Sequence, residues 1–361
     1  MAYTDIDDST KYFNTLLYSG NNSAARAVTG VGFQPDWLWI KDRTVGYPHI
    51  TWDSARTNKN SLAINTDAAE VATTGGNTNR TLTSFDSDGF TTPNATGDIF
   101  NDNGTAFVAW NWKTGTAFSN DASSTSIGDI DSAGSVSTDA GISILTYTGN
   151  GTNDRKVAHG LGAVPVAWII KRRNAAANWT VQHIGQRNIG QTPDDYDINL
   201  NTNDARGGNL NTGTGVPTSQ YFFIGNDATT GADGGNYVAF VFAEKQGFSK
   251  FANYKGNGND NGKFVYTGFA PAWVMVKKTT GAEHWNIYDN KRGPSKALSS
   301  NLVNAERALD DSPAMELLSN GFKIRTSDNN LNDSGENFVF FAFAAEPLVT
   351  STGIPATAKA R

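Results

Sequence analysis

Apolar residues in this chain fall in short runs separated by Gly, Asn, Asp, Ser and Thr, the spacing of strands and turns rather than of helices. Phe13, Thr15 and Leu17 alternate with Tyr12, Asn14 and Leu16, which predicts a strand with one drier face. Three other runs are almost wholly apolar: Pro35-Asp36-Trp37-Leu38-Trp39-Ile40-Lys41, Pro165-Val166-Ala167-Trp168-Ile169-Ile170-Lys171 and Pro271-Ala272-Trp273-Val274-Met275-Val276-Lys277. Each opens on a proline, whose fixed φ and missing N–H suit the first residue of a strand, and closes on a lysine. Each is predicted to be a buried strand with a charged exit.

Flanking landmarks move with these runs. A Tyr-x-Gly-Asn turn precedes each proline, at Tyr18, Tyr147 and Tyr254, with tyrosine-to-proline separations of 17, 18 and 17 residues. An aromatic strand follows, centred on Trp110, Phe240 and Phe341, which lie 75, 75 and 70 residues after their prolines. The landmarks define three copies of a unit of about a hundred residues. The expected fold is all-β: three tandem antiparallel β-sandwich repeats, with less than about a tenth helix. Repeat one spans residues 1–113, repeat two 141–246 and repeat three 247–361, including a polar tail from Ser351. Residues 114–140 have no lysine or arginine and little apolar text, and read as a Ser/Thr/Asp/Gly linker or a pair of thin edge strands. Repeats two and three join almost without a gap and are expected to pack together.

Inside each unit a second, more polar strand follows: Pro48 to Asp53, Asn178 to His183, and Glu283 to Asp289. Asp53 and Asp289 are each followed three residues later by an arginine, Arg56 and Arg292, spaced for an ion pair across a turn. An exposed pair of that kind contributes about 0 to 1 kcal/mol. Asp88-Gly89 and Asn320-Gly321 are turn signals. Asp311 to Gly321, with a cap, an early proline and a terminal glycine, predicts one or two helical turns.

Charge and composition narrow the partners. A net charge of −6 and a pI near 5.2 disfavour a phosphate backbone, so nucleic acid is not expected. The absence of cysteine excludes disulfides and thiolate metal sites. No apolar run approaches the roughly 20 residues of a membrane helix, and the polar start lacks the regions of a signal peptide. The expectation is a soluble protein, not inserted in a membrane and not exported by the usual route.

Motifs that carry chemistry are incomplete. Gly256 to Lys263 lacks the first glycine and the Ser or Thr of a phosphate loop, and as a calcium loop it ends on Gly268 instead of glutamate. His49, His159, His183 and His284 have no metal-site spacing. No Gly-x-Ser-x-Gly elbow occurs, and the seven glutamates form no glycosidase-like pair. Asp194, Asp195 and Asp197, which could pair with Glu283, sit in a polar excursion that the other units lack. The chain is therefore read as a non-enzyme with no cofactor, no metal and no catalytic residue. Aromatic residues remain. Trp37, Trp39, Trp110, Trp112, Trp168 and Trp273 fall inside the recurring strands and read as core. Trp52, Trp179, Trp285 and Tyr288 stand on the more polar strand beside Asp53, His183 and Asp289. They are the candidate glycan or subunit contact, a ring stacking on a sugar face with polar neighbours taking hydroxyls; the alternative places them in the core.

Taken together, the runs Tyr12 to Asn21, Gly30 to Trp37, Phe85 to Phe90, Val108 to Lys113, Gly160 to Pro165, Tyr266 to Trp273 and Ala342 to Pro347 resemble a repeat family of virion proteins of tailed, especially marine, bacteriophages. The resemblance implies jelly-roll, concanavalin-like sandwiches in tail, fibre or other surface structural proteins, and carries over no catalytic residues. The expected role is a non-catalytic structural component of a tailed-phage virion. The alternatives are a host-surface carbohydrate-binding receptor module or a head-decoration protein, with a polysaccharide depolymerase third. Its partners would be other virion proteins, copies of itself in a homo-oligomer, and a host surface glycan. Its place would be the virion, assembled in the cytoplasm of the bacterial host.

Overall fold

The computed structural model describes residues 4–57, 59–71, 80–94, 99–186, 196–207, 215–293, 296–308 and 314–355. It is all-β, 43% strand and 4% helical, with every pair of strands antiparallel. Three larger sheets carry the architecture. The first places Phe13–Ser19, Ala106–Trp112, Trp37–Asp42, Ile50–Asp53 and Leu62–Ala63 side by side. The second repeats that order with Ile142–Thr148, Asn236–Phe242, Ala167–Arg172, Thr180–His183 and Ile198–Asn199. The third does so with Ser249–Lys255, Asn337–Pro347, Phe269–Lys278 and Asn286–Asp289. A smaller sheet accompanies each: Ala27–Thr29 with Gly89–Thr91 and Ser84–Asp86, Arg155–Ala158 with Tyr221–Ile224, and Phe264–Tyr266 with Gly321–Ile324 and Met315–Leu318.

Strand alternation sorts each large sheet into two buried faces. In the first sheet Leu38, Ile40, Phe107 and Ala109 pack against Val28 and Phe90 of its smaller sheet. Trp37, Trp39, Trp110 and Trp112 point the other way. They join Ile144, Ile169, Phe240 and Phe242 of the second sheet and Phe251, Trp273, Met275, Phe341 and Phe343 of the third in one continuous cluster. Ring centroids of Trp37 and Phe240 lie 4.5 Å apart, those of Trp112 and Trp273 5.6 Å, and those of Phe242 and Phe341 6.2 Å. Each aromatic side chain removes about 150–250 Å² from water, so this shared core is the largest favourable contribution to the fold.

The Tyr-x-Gly-Asn turn has the same geometry three times. The hydroxyls of Tyr18, Tyr147 and Tyr254 donate to the carbonyls of Phe100, Thr230 and Leu331 at 2.8, 2.6 and 2.6 Å. Their rings stack on Phe107, Tyr237 and Phe338 at 5.0, 5.1 and 5.0 Å. Glycine follows because a Cβ at Gly20, Gly149 or Gly256 would come within 1.9, 2.5 or 2.1 Å of a carbonyl oxygen.

Residues 114–140 take the second of their two expected forms, a pair of thin strands, and not that of a linker: Thr116–Asn120 and Ser132–Ser137 pair with each other and extend the second sheet beyond Ile142–Thr148. Between them lies the short helix Ala122–Thr125, capped by the Asp121 carboxylate. Ladder hydrogen bonds hold these strands where Phe118, Ile130 and Val136 supply little apolar surface. The helix expected near Asp311–Gly321 is corrected. Residues 309–313 lie outside the described residues, and Met315–Leu318 is a strand in a hairpin with Gly321–Ile324, its Met315 and Leu317 turned inward.

Candidate functional site

Register fixes which residues correspond. Trp37 faces Asp53, Ala167 faces His183, and Trp273 faces Asp289 across the proline and polar strands. Counting back from these pairs, the counterpart of Trp179 and Trp285 is His49, while Trp52 aligns with Gln182 and Tyr288. Trp52, although it stands on the corresponding strand, therefore lies three residues out of step with Trp179 and Trp285.

The exposed platform is corrected as well. Trp52, Asp53, Trp179, His183, Trp285, Tyr288 and Asp289 are all buried, none more than 2% exposed, and a sugar or a neighbouring subunit cannot reach them in the folded chain. Trp179, Trp285 and Tyr288 lie in the shared core. Trp52 belongs to the first segment's outer core, where its Nε1–H donates to the Arg80 carbonyl at 2.9 Å. Trp179 and Trp285 instead reach across segments: Trp179 Nε1–H donates to the Ala63 carbonyl at 3.0 Å, and Trp285 Nε1–H to the Asn199 carbonyl at 2.9 Å. His49, in the same position, accepts from Trp39 Nε1–H at 2.9 Å and lies against the Ser299 backbone.

A second set of contacts closes the same cycle through the backbone. Glu70 N–H donates to the Arg173 carbonyl, Arg206 N–H to the Thr279 carbonyl, and Glu306 N–H to the Arg43 carbonyl, each at 2.9 Å. First segment joins second, second joins third, and third returns to first. Side-chain ion pairs follow at two of these joints. Arg173 holds Glu70 with two bonds of 3.0 and 3.2 Å, and Arg43 holds Glu306 with two of 2.8 and 3.1 Å. Glu70 continues to Arg56 at 3.4 Å and Arg56 to Asp53 at 2.6 Å; Glu306 continues to Arg292 at 3.3 Å and Arg292 to Asp289 at 2.5 Å. The Asp–Arg pairs, expected as exposed turn contacts, are fully buried at the inner ends of two four-member ionic chains. Asp289 Oδ2 also accepts from Trp110 Nε1–H of the first segment at 3.0 Å.

Among the described residues, the joint from the second segment to the third has no such charge pair. His183 stands for the aspartate and receives the Gly185 N–H on Nδ1 at 2.9 Å, which places its own proton on Nε2, 3.0 Å from the Phe340 carbonyl. Burial pushes its pKa down to about 3, so it is neutral. The three lysines that end the proline strands are also buried, so each strand leaves on a charge held inside the protein. Lys41 Nζ donates to the Asp42 and Val45 carbonyls, Lys171 Nζ to those of Asp67 and Ala177, and Lys277 Nζ to those of Lys278, Asn203 and Gly281. Burial lowers each to about 8. Asp67 and Asn203 belong to the preceding segment, so two of these lysines also tie joints.

The chemistry of this constellation is cohesion: ionisable groups meet partners inside the protein and away from solvent. Among the described residues no three His, Cys, Asp or Glu side chains could hold a metal ion. Asp194 and Asp195 lie outside the described residues, and Asp197 is buried in a bridge to Gly207. The Gly256–Lys263 turn is occupied by its own chain, with Asn332 Nδ2 donating to Asn257 Oδ1 and to the Asn259 carbonyl. Among the described residues, the aromatic side chains most open to solvent are those of Phe264 and Tyr266, 45% and 58% exposed. Their signal was the alternation Phe264-Val265-Tyr266 between two turn glycines, Gly262 and Gly268.

Residues 8–347 match the family described as Domain of unknown function (DUF7483). No curated protein and no solved structure matches the chain.

Proposed function

We propose that this chain, which belongs to the family described as Domain of unknown function (DUF7483), is a non-catalytic structural component of a tailed-phage virion, carried on the tail, a fibre or the head surface. One observation supports this reading above the others: three consecutive segments close on one another through equivalent backbone bonds, Glu70 to Arg173, Arg206 to Thr279 and Glu306 to Arg43. Asp53, Arg56, Glu70, Asp289, Arg292 and Glu306 are committed to these joints, as befits a building block. The resemblance carried by Tyr18-Ser19-Gly20-Asn21, Pro35, Pro271 and their flanking strands supplies the virion. We further read each segment, one large sheet with its smaller companion, as a jelly-roll, concanavalin-like repeat. Matching strand order and the three tyrosine turns support that reading.

The partners are then other virion proteins and further copies of this chain, assembled in the cytoplasm of the bacterial host. Mass spectrometry of density-purified particles, with antibody labelling in the electron microscope, tests the proposal. Its expected result is a fixed number of copies per particle at one location. A chain found free in lysates and absent from particles would overturn it.

A further inference from the structure

The smaller sheet of the third segment ends in the strand Phe264–Tyr266, which pairs with Gly321–Ile324 on one side and, among the described residues, with no strand on the other. Val265 turns into the core, so Phe264 and Tyr266 turn out to solvent. Tyr266 forms a ridge between two open hollows of about 330 and 360 Å³. One is bordered by Glu244 and Lys250, the other by Asn253, Lys255, Lys263 and Phe264. Each lies at the small end of ligand pockets.

The second segment plugs the matching place with its own chain. Val157 and Val265 are the inward residues of corresponding strands, so Ala158 stands where Tyr266 does and Gly160 where Gly268 does. There Ser132 Oγ donates to the Ala158 carbonyl at 2.8 Å, and the Phe118 ring lies so close that a Cβ on Gly160 would come within 2.6 Å of it. In the third segment the added strands are absent, and Gly268, at φ +84°, leaves room beside the Tyr266 ring.

Strand addition is hindered at the start of the neighbouring strand. Addition along Ser249–Lys255 would need the outward N–H groups of Ser249 and Phe251. The first donates to the Lys245 carbonyl at 2.9 Å, and the second to Glu244 Oε2 at 3.2 Å, with Glu244 held by Lys250 at 2.6 Å. That guards the edge against β-augmentation. The surface presents a flat amphipathic ring between two hollows with polar side chains on their rims, the complement of a pyranose, whose C–H face stacks on an aromatic while its hydroxyls reach side-chain donors and acceptors.

We infer that Tyr266 and Phe264 form the stacking platform of a saccharide-binding site, with Asn253, Lys255, Lys263 and Glu244 placed to take sugar hydroxyls. The site stands whether or not the chain is part of a virion, and the test uses the isolated full chain so that the two readings fail separately. Neutral, amino-sugar and uronate oligosaccharides are titrated against the wild-type chain, Tyr266→Ala and Phe264→Ala by calorimetry, with thermal unfolding and sedimentation in parallel. At least one class is expected to bind, and Tyr266→Ala to weaken it at least about tenfold with an unchanged melting temperature, since the ring is exposed. Three results overturn the inference: no binding by any class to about 10 mM, binding indifferent to Tyr266→Ala, or a wild-type oligomer that Tyr266→Ala dissociates, which would make the platform a contact between copies.

Discussion

Replacing Asp289 by alanine should be among the most damaging single changes in this protein. The carboxylate is 1% exposed and accepts four hydrogen bonds: Lys291 N–H at 3.1 Å and Arg292 N–H at 2.9 Å on Oδ1, Arg292 Nε–H at 2.5 Å and Trp110 Nε1–H at 3.0 Å on Oδ2. Alanine leaves the buried Arg292 guanidinium with Glu306 at 3.3 Å and the Ile287 carbonyl at 3.0 Å. Breaking a buried pair by removing one partner costs about 3–5 kcal/mol, and an orphaned indole N–H about 1–3 kcal/mol. Because one carboxylate serves both donors the two costs overlap, and we expect a net loss of about 4–6 kcal/mol against a typical total of about 5–15 kcal/mol. Urea unfolding followed by tryptophan fluorescence measures it, with an unchanged m-value as evidence that only stability moved. Asp53→Ala is the control: Asp53 accepts Arg56 N–H at 2.9 Å and Arg56 Nε–H at 2.6 Å, so its loss should be nearer about 3–5 kcal/mol. A Trp110→Phe, Asp289→Ala cycle isolates the bond between segments. A loss below about 1 kcal/mol for Asp289→Ala would refute the claim that these buried ionic chains hold the segments together.

Trp285→Ala should cost about 3–5 kcal/mol through cavity formation and further stability through the unpaired Asn199 carbonyl; a melting temperature equal to wild type would return the ring to the surface. Acid should weaken the fold below about pH 6.5, because burial lowers His159 to about 4 and His183 to about 3, so the unfolded chain takes up protons that the folded chain refuses. The loss from His159 alone reaches about 3 kcal/mol by pH 4, and Gln at either position should flatten the urea midpoint profile between pH 4 and about 6.5. On the alkaline side Lys41, Lys171 and Lys277, at about 8 when folded and 10.5 as free side chains, should raise stability as pH climbs from 8 toward 10. Above about pH 10 the raised pKa values of Tyr147, Tyr254 and Tyr288 reverse the trend, since the unfolded chain then loses protons that the folded one keeps. Gly20→Ala should destabilise by several kcal/mol, as its Cβ would come within 1.9 Å of the Asp102 carbonyl oxygen; wild-type stability would mean the turn can open.

Strand positions and the equivalence of the proline runs were legible in the sequence because period-two alternation and turn residues are local signals. The partner of each face was not. Trp37-Leu38-Trp39-Ile40 is apolar at every position, which already implies burial on both sides, whereas an isolated two-layer sandwich leaves its outer faces wet. Asp53, Asp289, Arg56 and Arg292 looked like solvent-side turn residues because the groups that extend their pairing are remote: Arg173 lies 103 residues from Glu70, and Arg43 lies 263 from Glu306. Histidine in place of tryptophan at position 49 hid the counterpart of Trp179 and Trp285, because the tryptophan of that strand, Trp52, stands three residues further on. Phe264 and Tyr266 resembled any strand of a half-buried sheet; only the missing neighbour strand distinguishes them.

The cyclic arrangement also sets a timetable for synthesis. The inner face of the first sheet is complete once Trp112 has been made, yet it rests on Trp273 and Phe343 of the last segment, with ring centroids 5.6 and 5.7 Å from Trp112. At about 5–20 residues per second the ribosome needs on the order of ten to fifty seconds to travel from Trp112 to Phe343. During that interval the nascent chain exposes an aromatic surface that nothing yet made can cover completely, so the first two segments are the stage at which a folding helper, or premature aggregation, has its opportunity.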